Sequence, residues 1–250
     1  MGLAYFFLLS TLLLAGCEST SPPPHATSKP PTGPFTEFPV PIANSEPMEI
    51  VAGPDGALWF TELRADKIGR ITTQGQITEF ALPFDSWPGG ITTGSDGALW
   101  FTEYLNTDKI GRITTQGQIT EFALPANSGA EAIANGPDGA LWFAMHDTNK
   151  IGRITVQGQI TEFALPANSK PEAITSGPDG ALWFIETGVD KIGRITLQGQ
   201  ITEFALPTGD KIQAGNANTP GGIAAGPDGA LWFTTYSPDG IGRLNLRKPS

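Results

Sequence analysis

A motif of eight residues returns five times along this chain and limits what the chain can fold into. It reads GPDGALWF in four copies and GSDGALWF in one. Its tryptophans stand 41, 42, 41 and 49 residues apart, at Trp59, Trp100, Trp142, Trp183 and Trp232. A period of about 42 residues with four short apolar runs is typical of a β-propeller blade. A helical solenoid is excluded because the repeat has no apolar run of ten or more residues at helical spacing.

Each repeat is predicted to form four antiparallel strands, a to d, placed in the first repeat at residues 48–52, 57–62, 67–73 and 76–82. Between strands a and b, Gly53-Pro54-Asp55-Gly56 has the residue types that a tight turn requires. Gln74-Gly75 predicts a two-residue hairpin between strands c and d, which would place Arg70 opposite Glu79. The repeated Trp-Phe pair is expected to fill the space between neighbouring blades, since a tryptophan buries about 150–250 Å².

The last repeat stops after strand c, and a segment at the other end of the domain matches the missing strand d. Phe35–Pro41 reads FTEFPVP, which resembles the ITEFALP of the other repeats. We therefore predict an all-β fold, a five-bladed β-propeller over residues 35–246, with its ring closed by this N-terminal outer strand and a tail at 247–250. Closure would remove exposed sheet edges, so a monomer is expected. An open arc completed by a second chain is the alternative.

The N-terminal residues have the character of an export and anchoring segment. Leu3–Ala15 is an apolar run of thirteen residues, too short to span a bilayer comfortably. The sequence Leu14-Ala15-Gly16-Cys17 resembles a bacterial lipobox, so residues 1–17 are predicted to be a lipoprotein signal peptide with Cys17 as the lipidation site. An ordinary signal peptide with a stray thiol is the alternative. Residues 18–34 predict a disordered, proline-rich tether, and hence a membrane-anchored protein of the bacterial cell envelope that faces the periplasm or the exterior.

The charge of the chain limits its partners. Fifteen Lys and Arg residues against 25 Asp and Glu residues give a net charge of −10. Nucleic acid is not an expected partner, because its phosphates need clustered basic side chains. A small molecule, a glycan or a protein is the expected ligand.

Departures from the repeat gather at one end of the predicted propeller, where a unique site is expected. The a–b and c–d turns are nearly identical in every repeat, whereas the d–a crossings, the starts of strand a and the ends of strand b vary. The residues expected to form a ligand-binding face at this variable end are Glu46, Glu49, Glu62, Trp87, Glu103, Tyr104, Glu186 and Tyr236.

Carboxylates at the starts of the innermost strands suggest chemistry at the mouth of the central channel. Glu49, Glu131 and Glu172 are candidate metal ligands there, because magnesium and calcium prefer oxygen ligands. A solvated acidic rim is the alternative. His146 is the only histidine in the predicted propeller and a candidate general base, unless its polar loop simply exposes it to solvent. The catalytic candidates are therefore His146, Glu131 and Glu172.

The repeat itself resembles a known family. The segment GPDGALWFTE, followed by KIGRITTQGQITEFALP, is similar to the streptogramin B lyase (virginiamycin B lyase) family, and the likeness covers Phe35–Leu246. The resemblance implies a propeller enzyme that opens a cyclic depsipeptide at its ester bond by an elimination without water. It also implies a divalent metal, magnesium, and catalytic histidines that follow a proline at the start of strand a.

The positions that match those histidines carry other residues in this chain, namely Met48, Gly89, Glu131, Glu172 and Gly221. The expected function is therefore an envelope-anchored, non-catalytic module that binds a ligand, a cation or a partner. A lyase or lactonase that uses carboxylates is the alternative, and a passive structural lipoprotein is a third interpretation. A glutamate can replace a histidine as general base only if burial or a neighbouring carboxylate raises its pKa toward neutrality.

Overall fold

The computed structural model describes residues 34–104, 107–207, 209–212, 221–237 and 239–246. The chain divides into two compact units, Met1–Pro41 and Ile42–Ser250. The described part of the first unit, residues 34–41, contains no strand. The described part of the second unit is almost entirely β-structure.

The strands of the second unit form five antiparallel sheets, one for each repeat. Blade 1 contains β1 (Pro47–Ala52), β2 (Leu58–Glu62), β3 (Lys67–Ile71) and β4 (Ile77–Ala81). Blade 2 contains β5 (Pro88–Thr93), β6 (Leu99–Glu103), β7 (Lys109–Ile113) and β8 (Ile119–Ala123). Blade 3 contains β9 (Ala130–Asn135), β10 (Leu141–Met145), β11 (Lys150–Ile154) and β12 (Ile160–Ala164). Blade 4 contains β13 (Pro171–Ser176), β14 (Leu182–Glu186), β15 (Lys191–Ile195) and β16 (Ile201–Ala205), and blade 5 contains β17 (Ile223–Ala225), β18 (Leu231–Tyr236) and β19 (Asp239–Leu244).

Strands pair in sequence order within every sheet, and the predicted β-propeller fold class is confirmed. A short 3-10 turn, Leu63–Ala65, lies in the b–c loop of blade 1. Among the described residues, however, the fifth sheet contains three strands, and Phe35–Pro41 lies in no strand. Closure of the ring by that segment is therefore not confirmed.

The hairpin between strands c and d differs from the predicted two-residue turn. Its closing pair is Ile71 with Ile77, and Gly75 has a left-handed backbone (φ 84°). This longer loop shifts the register by one residue, so that Arg70 lies opposite Thr78 and not Glu79. A shift of one residue turns side chains to the other face of a strand. The predicted Arg–Glu pairing was therefore wrong.

The arginine instead pairs with the aspartate of the a–b turn. Asp55 accepts hydrogen bonds from the backbone N–H of Ala57 at 3.3 Å and from Trp59 Nε1 at 3.1 Å. Arg70 Nε donates to the second oxygen of the same carboxylate at 2.6 Å. Burial opposes ionisation, but the hydrogen bonds from Trp59 and Arg70 outweigh it and lower the pKa of Asp55. Each later repeat forms the same turn-to-strand contact.

Successive blades are joined by apolar clusters that share a tryptophan, a leucine and a phenylalanine at equivalent positions. Between blades 1 and 2 the cluster contains Trp59, Ile68, Leu82, Ile91, Leu99, Phe101 and Ile113. Equivalent clusters join the next three pairs of blades. The tryptophans of blades 1 to 4 are buried, and each stacks on the phenylalanine of its own strand d at 5.3–5.4 Å between ring centroids. Each of the four clusters also contains the strand-b phenylalanine of the following blade, as Phe101 does beside Trp59, so the prediction that the strand-b Trp-Phe pairs fill the space between blades is confirmed at these interfaces.

Several sequence-based expectations concern residues that lie outside the described part of the chain. They are the signal peptide at 1–17 with Cys17, the tether up to residue 33, and the tail at 247–250. Within the described ranges, no helix has the length and apolar character needed to cross a membrane.

Candidate functional site

The start of β9 in blade 3 is positioned by a carboxylate from the preceding blade. Asp108, in the b–c loop of blade 2, accepts hydrogen bonds from the backbone N–H groups of Asn127 at 2.6 Å and Ser128 at 2.8 Å. The N–H of Gly129 donates to it as well, at 3.2 Å. Three bonds to one carboxylate hold the d–a crossing in place. They therefore fix the point at which Glu131 leaves the crossing on β9.

Glu131 lies in a group of polar side chains at the variable end of blades 2, 3 and 4. We call this group the mouth cluster, and it consists of Tyr104, Glu131, His146 and Glu172. The Tyr104 hydroxyl donates a hydrogen bond to the Glu131 carboxylate. Burial is the main cause that raises the pKa of Glu131 to about 7; the charge of Glu172 adds to it, while His146 and the Tyr104 hydrogen bond oppose it. Glu131 can therefore change its protonation state near neutral pH.

His146 reaches the same place through strand pairing within blade 3. Met145 lies opposite Ala130, which brings the residue after β10 next to the beginning of β9. The backbone N–H of His146 donates to the carbonyl of Gly129 at 3.0 Å. Its ring Nδ1 lies 2.7 Å from Asp147 Oδ1, and 18% of the His146 side chain is exposed. The imidazole is thus held at the edge of the cluster, within the field of Glu131.

The candidate metal ligands do not form one metal-binding group. Glu172 and Glu131 are neighbours, and Glu172 Oε1 accepts a hydrogen bond from the Thr187 hydroxyl at 2.9 Å. Glu49 is engaged elsewhere, because its Oε2 accepts the backbone N–H of Ile91 at 2.8 Å and so links blade 1 to blade 2. Within the described ranges, no three His, Cys, Asp or Glu side chains are grouped so that they could hold a metal ion. These donors do not fit the magnesium ion that the family resemblance implies.

Other residues of the expected ligand-binding face lie at the variable end but are spread around it. Glu46 forms an ion pair with Arg64 at 2.6 Å. The Trp87 indole donates to Asp85 at 2.7 Å, and the Tyr236 side chain is exposed on blade 5. Trp87 touches the mouth cluster through its backbone, because its carbonyl accepts the N–H of Tyr104 at 3.2 Å. Glu46 and Tyr236 lie on blades 1 and 5, whereas the cluster lies on blades 2, 3 and 4.

Three glutamates of that expected face are buried inside the blades. Glu62, Glu103 and Glu186 end strand b in blades 1, 2 and 4 and are fully buried. Burial is the largest cause that raises their pKa values, to about 7 for Glu103 and for Glu186. Blade 3 has Met145 at this position. Residues without exposure cannot contact a ligand from solvent, so these three contribute to the blade interior.

Sequence reasoning named Tyr104 and Glu131 but not their contact, and it missed the role of Asp147. Tyr104 follows β6 of blade 2, whereas Glu131 lies on β9 of blade 3. Only the packing of one blade on the next brings them together. The sequence Met145-His146-Asp147 could have indicated the role of Asp147, because an acid next to a histidine can orient the imidazole ring.

The fold and the mouth cluster together define a β-propeller with an acidic, histidine-containing candidate site, located where strand a begins and strand b ends. Residues 26–214 match the model of the virginiamycin B lyase family. This chain belongs to the virginiamycin B lyase family.

Solved structures and curated proteins agree with this assignment. The structure of virginiamycin B lyase from Staphylococcus aureus is 47% identical, with a TM-score of 0.76, and the match covers 83% of this chain and 69% of that one. A streptogramin B lyase structure is 40% identical, with a TM-score of 0.74 and coverages of 86% and 74%. Virginiamycin B lyase from Bordetella pertussis is 41% identical over 49 residues, which are 20% of this chain and 16% of the relative. The match therefore spans about a sixth of that curated protein.

Proposed function

We propose that this protein is a carbon–oxygen lyase that opens a cyclic depsipeptide at its ester bond, with Glu131 as the general base. One observation carries the proposal. Glu131 stands at a position where the family resemblance implies a catalytic histidine, and burial together with Glu172 raises its pKa to about 7. A group that titrates near the working pH is the type of group that general-base catalysis requires.

The proposed step is a β-elimination. The Glu131 carboxylate takes a proton from the carbon next to the substrate carbonyl. The electron pair left behind forms a carbon–carbon double bond, and the ester oxygen on the adjacent carbon leaves as a carboxylate. No water is consumed, and the ring opens into a linear product with an unsaturated residue.

Neighbouring residues prepare Glu131 for this step. The Tyr104 hydroxyl donates to the carboxylate and fixes its direction. Asp147 holds Nδ1 of His146, which sets the orientation of the imidazole beside the base. The interaction with His146 lowers the pKa of Glu131 and so favours the ionised carboxylate that this step requires. No step passes through magnesium, because the described donors do not fit that ion.

A second candidate is the non-catalytic module that the sequence analysis favoured. It would be an envelope-anchored propeller, lipidated at Cys17, that binds a polar ligand at the mouth cluster without turnover. The positions that match the family's catalytic histidines support this candidate, because Met48, Gly89 and Gly221 cannot take up a proton.

Turnover of a streptogramin B compound tests the proposal. The purified chain is incubated with quinupristin, the compound present in a structure of a catalytically inactive S. aureus variant, and loss of the intact ring is followed by chromatography. Glu131→Gln should reduce the rate by about 10²–10⁴-fold, the usual cost of losing a proton-transfer group. Glu162→Gln, on strand d of the same blade, should keep the rate because that residue pairs with Lys150 and lies outside the cluster.

Three other outcomes would decide against the first proposal. Binding of quinupristin without ring opening would establish the second candidate. Turnover that survives Glu131→Gln but vanishes in His146→Ala would make the histidine the base. Neither binding nor turnover would leave a structural lipoprotein as the remaining interpretation.

A further inference from the structure

The residue just before strand a faces the b–c loop of its own blade. In blade 1 this residue is Glu46, which forms an ion pair with Arg64 of that loop at 2.6 Å. In blade 3 it is Gly129, and a Cβ atom placed there would lie 2.7 Å from the carboxylate of Asp147. The crossing and the loop therefore provide two facing positions at the variable end of a blade.

In blade 4 the same two positions hold Lys170 and Gly188. The Lys170 side chain lies over the loop, because a Cβ atom placed on Gly188 would be 3.2 Å from Lys170 Cγ. Gly188 has no side chain with which an ammonium group could pair. Lys170 is exposed and therefore lacks the kind of partner that Glu46 has in blade 1.

A lysine without an acidic partner is an exception in this chain. Within the part of the chain that the structure describes, every lysine and arginine other than Lys170 and Lys211 forms an ion pair. That part contains all the aspartates and glutamates of the sequence except Glu18. The Lys170 ammonium is therefore available to an anion from outside the protein.

Backbone contacts place Lys170 beside the mouth cluster. Its N–H donates to Asn149 Oδ1 at 3.0 Å, which fixes the crossing. Its carbonyl accepts the backbone N–H of Thr187 at 3.2 Å and the hydroxyl of the same residue at 3.0 Å. That hydroxyl also lies 2.9 Å from Oε1 of Glu172, the neighbour of Glu131. One unpaired cation is thus tied to the edge of an acidic group.

The proposed ring opening requires a positive charge near this group. The ester oxygen leaves as a carboxylate, and a new anion beside Glu172 is disfavoured unless a cation is close to it. The described donors do not fit magnesium, so a side chain has to supply that charge. A cation that interacts more strongly with the developing anion than with the neutral ester accelerates the reaction.

We propose that the Lys170 ammonium binds the carboxylate of a ligand held at the mouth cluster. This inference rests on the proposed lyase activity, in which that carboxylate is the leaving group. The substrate proton goes to Glu131, the carbon–oxygen bond breaks, and its electron pair goes to the leaving oxygen. One negative charge thereby moves from Glu131 to the leaving carboxylate beside Lys170, which itself gives up no proton.

Three variants test this role in turnover. Lys170→Met removes the charge and should reduce kcat for quinupristin by about 10²-fold, the lower end of the usual cost of losing one group that stabilises developing charge. Its KM should change less. Lys170→Arg should recover most of the rate. Lys211→Met is the matched control and should keep the rate, because Lys211 is also unpaired and its carbonyl accepts the N–H of Tyr236 in blade 5, as that of Lys170 accepts Thr187 in blade 4.

A binding measurement tests the same contact without turnover. Quinupristin opened at its ester bond by mild alkaline hydrolysis carries a free carboxylate, and titration calorimetry compares its affinity with that of the intact compound. Lys170→Met should weaken binding of the opened compound by about tenfold, the effect of losing a hydrogen bond between charged groups. Binding of the intact ring should change little. Added salt should weaken only the binding of the opened compound.

The two measurements separate failure of this inference from failure of the proposed function. Turnover that is the same in Lys170→Met, or equally low in Lys170→Met and Lys170→Arg, would overturn the role of Lys170 and leave the lyase proposal standing. An unchanged chain without turnover would contradict the lyase, whereas Lys170-dependent binding of the opened compound would still support the carboxylate contact. No binding of that compound, or an equal loss in Lys211→Met, would overturn the contact. Circular dichroism verifies that each variant folds.

Discussion

Arg153 Nε lies 2.7 Å from the carboxylate of Asp138, with the two residues on adjoining elements of blade 3. The same carboxylate accepts the Trp142 indole N–H at 3.1 Å, and the Arg153 guanidinium lies 5.8 Å from the centroid of that ring. One aspartate of the a–b turn therefore fixes both the buried tryptophan and the strand-c arginine. Neutralising it should loosen the turn and the interface together.

Asp138→Asn should lower the free energy of unfolding by about 1.5–3 kcal/mol, the usual range for hydrogen bonds to a charged group. Urea denaturation of the purified chain measures this change. Asp228→Asn is the matched control, because the same contact in blade 5 is more exposed and solvent screens it more strongly. Equal losses in the two variants would show that burial of the contact is not what gives it strength.

Glu186→Met should stabilise the protein at pH 8 and have little effect near pH 5. Burial raises the pKa of Glu186 to about 7, so the folded state holds a proton that the unfolded state releases above about 4.5. The stability this carboxyl contributes is therefore present below about pH 4.5 and is lost as the pH rises through about 7. The expected gain at pH 8 is about 1–3 kcal/mol, with solvent screening reducing the upper value.

Met145→Glu provides the reverse experiment in blade 3. It should lower the melting temperature at pH 8 more than at pH 5, because it introduces the same buried carboxyl. Thermal melts of both variants at the two pH values measure the effect. A Glu186→Met melting curve that shifts equally at pH 5 and pH 8 would contradict a buried proton.

Trp142→Ala should cost about 3–5 kcal/mol of stability, the range for truncating a buried aromatic side chain. Trp142 is fully buried in the cluster between blades 3 and 4. Trp232→Ala should cost less, because 37% of that side chain is already exposed in blade 5. Denaturant midpoints of the two variants, each compared with the unchanged chain, measure the difference. A loss at Trp232 as large as at Trp142 would show that the blade 5 face is covered in solution.

Cys17→Ser should move the protein from the membrane fraction to the soluble fraction of a bacterial cell. The reason is that Cys17 is the proposed site of lipidation at the end of the apolar run. Fractionation followed by immunoblotting measures the distribution, and mass spectrometry of the unchanged protein detects the lipid. A wild-type chain that is soluble and uncleaved would contradict the lipobox interpretation.

Much of the fold could be predicted because the information is local and repeated. The motif LWF appears in each repeat after the turn GPDG, which reads GSDG in blade 2, and together they determine the strand order within a blade. The register of strands c and d could not be predicted in the same way. Gln74-Gly75 is compatible with a two-residue turn, but the chain uses a longer loop in which Gly75 adopts a left-handed backbone. The single-residue difference changed the partner of Arg70.

The site could be predicted less well than the fold. Glu131, His146 and Glu172 were candidates, and they lie together because blade 3 packs against its neighbours. Glu49 has the same residue type at the start of an innermost strand, yet its carboxylate bonds a backbone N–H of blade 2. The sequence predicts which carboxylates lie near the mouth of the channel. Contacts between blades determine whether such a carboxylate is free to bind a ligand or is already bonded to the protein. Those contacts depend on distances that a one-dimensional repeat does not contain.

Met145 removes from blade 3 the buried carboxyl that blades 2 and 4 have at the end of strand b. Deprotonation of Glu131 is therefore not accompanied by ionisation of a buried carboxyl at that position in the same blade. Glu103 and Glu186, in the blades on either side, exchange protons at about the same pH as Glu131. Blade 3 carries Glu131 at its inner start, but its own interior has no carboxyl at this position to ionise. A rise in pH can therefore deprotonate Glu131 without destabilising the interior of blade 3 at this position, although the same rise destabilises blades 2 and 4.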